Sequence, residues 1–249
     1  MIPMGIVIAL LALGLLGGWI VNYLADVLPL QPGFGPPLCP RCAAVVPWSD
    51  YLLLRRCRAC GSPPALRTYI VMLVLPMAAV FLWLVPPHQM EVPIAIGLFF
   101  YLALTAAIDI EHRLILHIVS LIGAVLGLAI GVHLHGLAST LIGGAAGYGI
   151  MLCFFFLGIA FVRLVSKRRK QALEEPALGY GDVNLAGVTG LLLGWPGIVF
   201  GLLVTILAAG VASLVVLGVM LVRRRYQAFS AIPYGPFLIL SIILLLFRP

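Results

Sequence analysis

Leu178-Gly179-Tyr180-Gly181-Asp182-Val183-Asn184-Leu185 breaks into a chain that is otherwise dominated by apolar runs, and the fold is read outward from it. The stretch sets one aspartate between a glycine turn and a new apolar run. An ionisable side chain at a membrane boundary is costly and marks a functional position by default. Gly179 and Gly181 accept backbone angles and close approaches that a Cβ forbids. A substrate strand can therefore lie against this turn, and both glycines are read as substrate-positioning. A lone acid makes a poor hydrolytic machine, so the rest of the chain must supply a second carboxylate.

Of the 249 residues, 63% are hydrophobic and 9% are charged, and the mean hydropathy is +1.19. A soluble domain is nearer half apolar and a quarter charged. The chain reads as an all-α polytopic membrane protein. The net charge of +7 is unevenly placed and reports topology rather than nucleic-acid binding. The N-terminus is apolar without a basic region or a small-residue cleavage site, so it reads as a retained helix. A spanning helix needs about 20 apolar residues. Such runs occur at 4–28, 68–85, 92–108, 114–132, 137–164, 183–193, 198–222 and 236–247, about eight spans with the sixth and eighth short. This gives a first helix at 1–29, a polar insert at 30–67 and a transmembrane domain at 68–249.

Arg41, Arg55, Arg56, Arg58, Arg67, Arg113, Arg163, Lys167, Arg168, Arg169, Lys170, Arg223, Arg224 and Arg225 fall on one side of these spans, and only Arg248 on the other. The basic side is the cytoplasmic one. The N- and C-termini are then outside and the insert inside. The ends of the third and sixth spans share the cytoplasmic face, which makes Asp109 the second carboxylate, opposite Asp182. Two aspartates in one site cannot both ionise cheaply and so share a proton. One can take a proton from water while the other protonates the scissile carbonyl oxygen, as in aspartic-protease chemistry. The bland alternative is that each aspartate caps or borders a helix; Asp182, ahead of an apolar run, would make an N-cap. Glu111 lies two residues from Asp109, faces elsewhere on a helix, and reads as solvated or as a helper.

Cys39-Pro40-Arg41-Cys42 and Cys57-Arg58-Ala59-Cys60 form a C-x2-C-x14-C-x2-C array. Four thiolates at this spacing suit one tetrahedral zinc at sulfur distances of about 2.3 Å, a structural site with no open position. On the reducing side of the membrane disulfides are disfavoured, and the neighbouring arginines are expected to lower the thiol pKa values. Cys153 falls inside an apolar run and reads as buried filler. His112, His117, His133 and His135 form no metal signature; the last two are expected to be solvated at the outer edge, and the first two can support Asp109. The basic residues between Arg163 and Lys170 suit anionic headgroups.

Gly179-Tyr180-Gly181-Asp182 resembles the GxGD motif of intramembrane aspartic proteases, and Ile108-Asp109-Ile110-Glu111 the first aspartate motif of bacterial prepilin peptidases. Gly18-Trp19-Ile20-Val21-Asn22 resembles that family's first-helix motif, the paired CxxC loop its cytoplasmic insert, and Ile232-Pro233-Tyr234-Gly235-Pro236-Phe237 its C-terminal signature. The chain departs from the family pattern at Trp19, at Leu116-His117 and at Asn184. Presenilin-type proteases also carry GxGD but place Pro-Ala-Leu after it; here Pro64-Ala65-Leu66 and Pro176-Ala177-Leu178 come before. The resemblance implies an inner-membrane aspartic endopeptidase that cuts the basic leader from type IV prepilins or pseudopilins at the cytoplasmic face. It implies Asp109 and Asp182 as catalytic residues and zinc on Cys39, Cys42, Cys57 and Cys60. For many members it also implies N-methylation of the new N-terminus with S-adenosylmethionine. The partners are then a prepilin or pseudopilin and membrane lipids, with no nucleic acid. A proton-coupled transporter is the rival reading, since membrane carboxylates also relay protons; transporters place them near the midplane in broken helices. A third reading is a binding scaffold with the cysteine loop as docking module.

Overall fold

A computed structural model describes residues 4–30, 35–169, 179–223 and 233–248, with backbone alone at 165–169. Leu178, Lys170, Arg224, Arg225 and Ile232, which the readings above used, lie outside the described residues. Among the described residues there are eight helices: α1 (Met4–Val27), α2 (Trp48–Leu52), α3 (Leu66–Leu84), α4 (Val92–His112), α5 (His117–Arg169), α6 (Tyr180–Leu193), α7 (Gly197–Val222) and α8 (Gly235–Leu246). The β-structure among the described residues is an isolated bridge between Leu38 and Val45. α2 belongs to the insert, and the rest coincide with the apolar runs. Among the described residues five helices are long and apolar enough to cross a membrane, α1, α3, α4, α5 and α7. α6 and α8, with 14 and 12 residues, fall short of the usual span of about 20. α5 holds two of the expected runs, divided where Gly136 leaves helical geometry at φ 79 and ψ 164.

The chain divides into two compact units, residues 1–112 and 113–248. In the first, α1, α3 and α4 pack together and alternate in direction. The meeting of their ends has a chemical cause. Asp26 near the end of α1, Arg67 at the start of α3 and Glu111 at the end of α4 are charges at the limits of apolar helices, and they pair: Arg67 bridges Asp26 and stands 2.6 Å from Glu111. Burial of isolated charges is prohibitive, whereas paired and hydrogen-bonded charges are tolerated. The same pairing lets α4 run on to His112, four residues beyond the end expected at 108. Glu111 is thus a helical residue that is ion-paired while still open to solvent.

In the second unit α6 is central and packs on α5, α7 and α8. Nine of its 14 residues are buried, as expected of a helix apolar on all sides. Its contact with α5 is a backbone-to-backbone one. A Cβ at Gly190 would lie 2.1 Å from the Gly143 carbonyl oxygen, and one at Gly143 would lie 2.4 Å from the Gly190 oxygen. Small residues are how helices approach closely in lipid, where no hydrophobic effect drives them together. At the far end, His135 contacts the Leu192 carbonyl at 3.2 Å, and Ser139 Oγ donates to the Trp195 carbonyl at 2.8 Å. His135 is therefore half-buried and bonded, not merely solvated as its place in the sequence suggested; the orphan carbonyls at the end of α6 need a partner.

Candidate active site and metal centre

α6 begins at Tyr180 with Gly179 as its N-cap in extended conformation. Asp182 stands at the third helical position, not at the N-cap expected from sequence. Its carboxylate accepts the Gly179 N–H at 3.0 Å, and its own N–H donates to the Gly179 carbonyl at 3.1 Å. Glycine has no side chain to cap with, so the aspartate satisfies the donor from inside the helix. The capping and functional readings of Asp182 are compatible, since one carboxylate oxygen suffices for the cap.

Gly181 is required by a close approach. A Cβ there would lie 2.8 Å from the Ile115 Cβ, so the connection at 113–116 presses directly on the turn. Tyr180 is fixed by α5: its hydroxyl lies 2.6 Å from that of Tyr148, and its ring meets Phe155 edge-on at 5.9 Å. Tyr234, just before α8, completes the surroundings. Burial pushes its phenol up, and the negative charge of Asp182 adds to the effect. Tyr234 therefore stays protonated. Tyr148 and Tyr234 were not singled out from sequence; the second lies inside the C-terminal signature, which was the available clue.

Asp109 sits in the last turn of α4 and is 4% exposed. Two residues on, Glu111 ties that turn to Arg67, and Arg67 ties it to Asp26. Tyr51 of α2 donates to Asp26 at 2.7 Å; burial first, then the Asp26 charge, pushes its phenol up. Trp48 and Tyr51 also stack against Tyr23 and Trp19 of α1, at 5.2 and 6.1 Å. Trp19, a departure from the family pattern, thus serves as a seat for the insert. Within this unit the insert and the Asp109 end of α4 lie at the same end.

The insert is built on two matching knuckles. Cys39 N–H donates to the Ala44 carbonyl and Ala43 N–H returns to the Cys39 carbonyl; Cys57 N–H donates to Ser62 and Gly61 N–H returns to Cys57. Each turn is closed by a residue at positive φ, Ala43 at 54° and Gly61 at 68°. The repeat brings the four sulfurs within 4.8 Å of one another, with Cys39–Cys60 at 3.7 Å and Cys42–Cys57 at 3.8 Å. A tetrahedral ion with sulfur ligands at about 2.3 Å has sulfur–sulfur edges of about 3.8 Å, so the donor set fits a metal. The electrostatics agree. Ser62 holds the Cys60 thiol down to about 6. The Ala44 N–H favours a Cys42 thiolate, but the neighbouring Cys60, Cys39 and Cys57 together push that thiol up to about 12. Four thiolates this close need a cation between them. The expected help from the arginines is absent for Arg58, whose guanidinium is bound to Asp50 at 2.5 and 3.1 Å and which instead fastens the second knuckle to α2. Cys153, expected as buried filler, is exposed on α5.

A model of the type IV leader peptidase family matches residues 96–217, a stretch that contains Asp109, Gly179, Gly181 and Asp182. Prepilin leader peptidase/N-methyltransferase of Burkholderia pseudomallei strain 1026b is 29% identical over 227 residues, covering 86% of this chain and 68% of that protein; the protein of the same name from strain K96243 gives the same values. Its counterpart in Myxococcus xanthus strain DK1622 is 27% identical over 224 residues, 84% of this chain and 62% of that one. No solved structure matches the chain. With both acids inside the matched stretch, and with similarity over 86% of its length to prepilin leader peptidases, this multi-pass helical chain is similar to the type IV leader peptidase family.

Proposed function

We propose that this peptidase cuts the leader from type IV prepilins or pseudopilins at the cytoplasmic membrane face, with Asp109 and Asp182 as its catalytic pair. The observation that carries the reading is the family match over residues 96–217, which includes both acids. The local chemistry supports it. Asp182 is held at a helix start by Gly179, and Ile115 packs on Gly181 beside it. One aspartate takes a proton from the attacking water and the other gives one to the carbonyl oxygen; the pair then resets by exchanging roles. Gly179 and Gly181 position the substrate backbone. Both acids lie in terminal turns of their helices, which suits a surface-cutting enzyme better than the midplane relay of a transporter.

The remaining assignments belong to the same proposal. All eight apolar runs cross or enter the membrane, with the N-terminus outside and the insert cytoplasmic, because the basic residues gather on that side. Residues 1–29 form the first helix, 30–67 the insert, and 68–249 the peptidase domain. Cys39, Cys42, Cys57 and Cys60 hold one structural zinc, whose chemistry is to bind and neutralise the thiolates and staple a loop with little apolar core. S-adenosylmethionine enters only if the chain also methylates the new N-terminus, and no residue is assigned to it. The test is to incubate the purified protein with a prepilin and read the products by mass spectrometry. A single cut after the basic leader is expected. An intact prepilin under conditions where a known prepilin peptidase cuts it would refute the proposal.

A further inference from the structure

We propose that a groove in the second unit receives the apolar segment of the substrate that continues from the scissile bond into the membrane. The inference rests on the peptidase reading above. The groove has a volume of about 470 Å³ and lies between α6 and the two halves of α5. Along α6 its lining starts at Asn184, two positions after Asp182, and ends at Leu191, a length of about 10 Å. Leu121 and Leu141 line it from the two halves of α5 while remaining 61% and 49% exposed, so it opens sideways. An occupant can enter from lipid without threading through the protein.

A hydroxyl identifies what the groove expects. Thr140, Thr189, Thr205 and Ser213 each donate to the carbonyl four residues earlier, the usual way for a hydroxyl to be satisfied on an apolar helix. Ser120 does not. It lines the groove, is 8% exposed, and its Oγ has no hydrogen-bond partner. A buried polar group left unpaired costs stability. Ser120 lies five residues after Ile115, which presses on Gly181 beside Asp182, and with Asn184 it gives one end of the groove a polar character.

A peptide answers this arrangement better than a lipid tail. A bond about to be cut must be out of helical geometry, so the first turn after it presents N–H groups without intrahelical partners. In lipid such groups must find a partner in protein, and Ser120 Oγ and the Asn184 amide provide one. An acyl chain brings no donor or acceptor to that depth. Ala124, Gly144, Ala145 and Gly187 keep the walls low, as close approach of a second helix requires.

The test uses the full chain in membranes, with Asp182→Asn so that the substrate is not consumed. A prepilin carries a photo-reactive residue at successive apolar positions after the cut. Crosslinks to Leu121, Leu141 or Ala145, recurring every three to four substrate positions, are expected. In the active enzyme, Ala124→Leu and Ala145→Leu, which fill the groove, should raise KM about tenfold or more with kcat changed far less, and Ser120→Ala should raise KM by a smaller factor. If wild type cuts the prepilin but the crosslinks fall elsewhere or only on lipid, the groove assignment is wrong and the peptidase reading stands. If wild type does not cut at all, the peptidase reading fails first. Should the filled variants not fold, the crosslink map alone decides.

Discussion

Asp182, proposed as one of the catalytic pair, also serves its helix. One carboxylate oxygen holds the Gly179 N–H, and asparagine could keep that bond through its amide oxygen. Asp182→Asn should therefore leave α6 folded while cleavage falls by about two to four orders of magnitude. Asp109→Asn should do the same, with folded yield checked by detergent gel filtration and activity by product mass. Glu111→Gln should keep far more activity, because Glu111 is engaged with Arg67; loss equal to that of Asp109→Asn would mean the first carboxylate was misassigned. Arg67 is the side chain whose removal should hurt the fold most. It is 13% exposed and pairs with two acids, and truncating one partner of a buried pair costs about 3 kcal/mol or more. Arg67→Met should lower the midpoint of thermal unfolding correspondingly. At this scale the sequence singled out residues that stand in a motif. It was not legible for Ser120 or Tyr234, whose roles depend on what a distant helix leaves open.

Apolar runs located the helices because length and hydropathy alone decide what lies in lipid. The start of α6 moved from the expected N-cap at Asp182 back to Tyr180, because glycine at 179 accepts the cap geometry and the acid satisfies it from within. The break in α5 at Gly136 was visible as polar residues between two runs, but the bonds that set it, from His135 and Ser139 to the end of α6, join residues more than fifty apart. The α5–α6 contact leads to a prediction. Gly190→Ala places a methyl against a carbonyl, not against a flexible side chain. It should destabilise by about 1–3 kcal/mol, as overpacking does, measured by thermal unfolding. In the insert the matching knuckles differ at one point: Gly61 is at ease at positive φ and Ala43 is not. Ala43→Gly should stabilise the loop by about 1 kcal/mol, and Gly61→Ala should destabilise it by a similar amount, read from protease resistance of the insert. The Arg58 guanidinium beside Asp50 holds its carboxyl below the usual range. That stabilisation is present above the ordinary carboxylate pKa and is lost as pH falls through the lower folded value. Arg58→Gln should therefore reduce the acid-side loosening of the insert.

For the molecule as a whole, one zinc per chain is expected by elemental analysis, with Cys39→Ser and Cys57→Ser each abolishing it. Removing the metal should loosen the insert and weaken substrate handling while leaving residual cleavage of a short peptide. An absence of zinc in protein with reduced cysteines would refute the site. Class and membrane character were legible because composition suffices for both. The cysteine cluster was legible from spacing, since two knuckles need only a fixed local turn. The network that seats the insert was not, because Tyr51, Asp26, Arg67 and Glu111 are spread over 86 positions and only folding brings them together. That network has an evolutionary consequence. Asp26 and Arg67 belong to α1 and α3, so the two ends of the insert are already clasped without it. Among the described residues the insert attaches through two tyrosine hydroxyls, Tyr51 on Asp26 and Tyr23 on the Gly35 carbonyl, and a few aromatic rings, and behaves as a cassette. Lineages could shorten it, replace it or dispense with its metal while the helices around Asp109 kept their ionic clasp, and a linker of a few residues grafted in its place would meet a gap already closed.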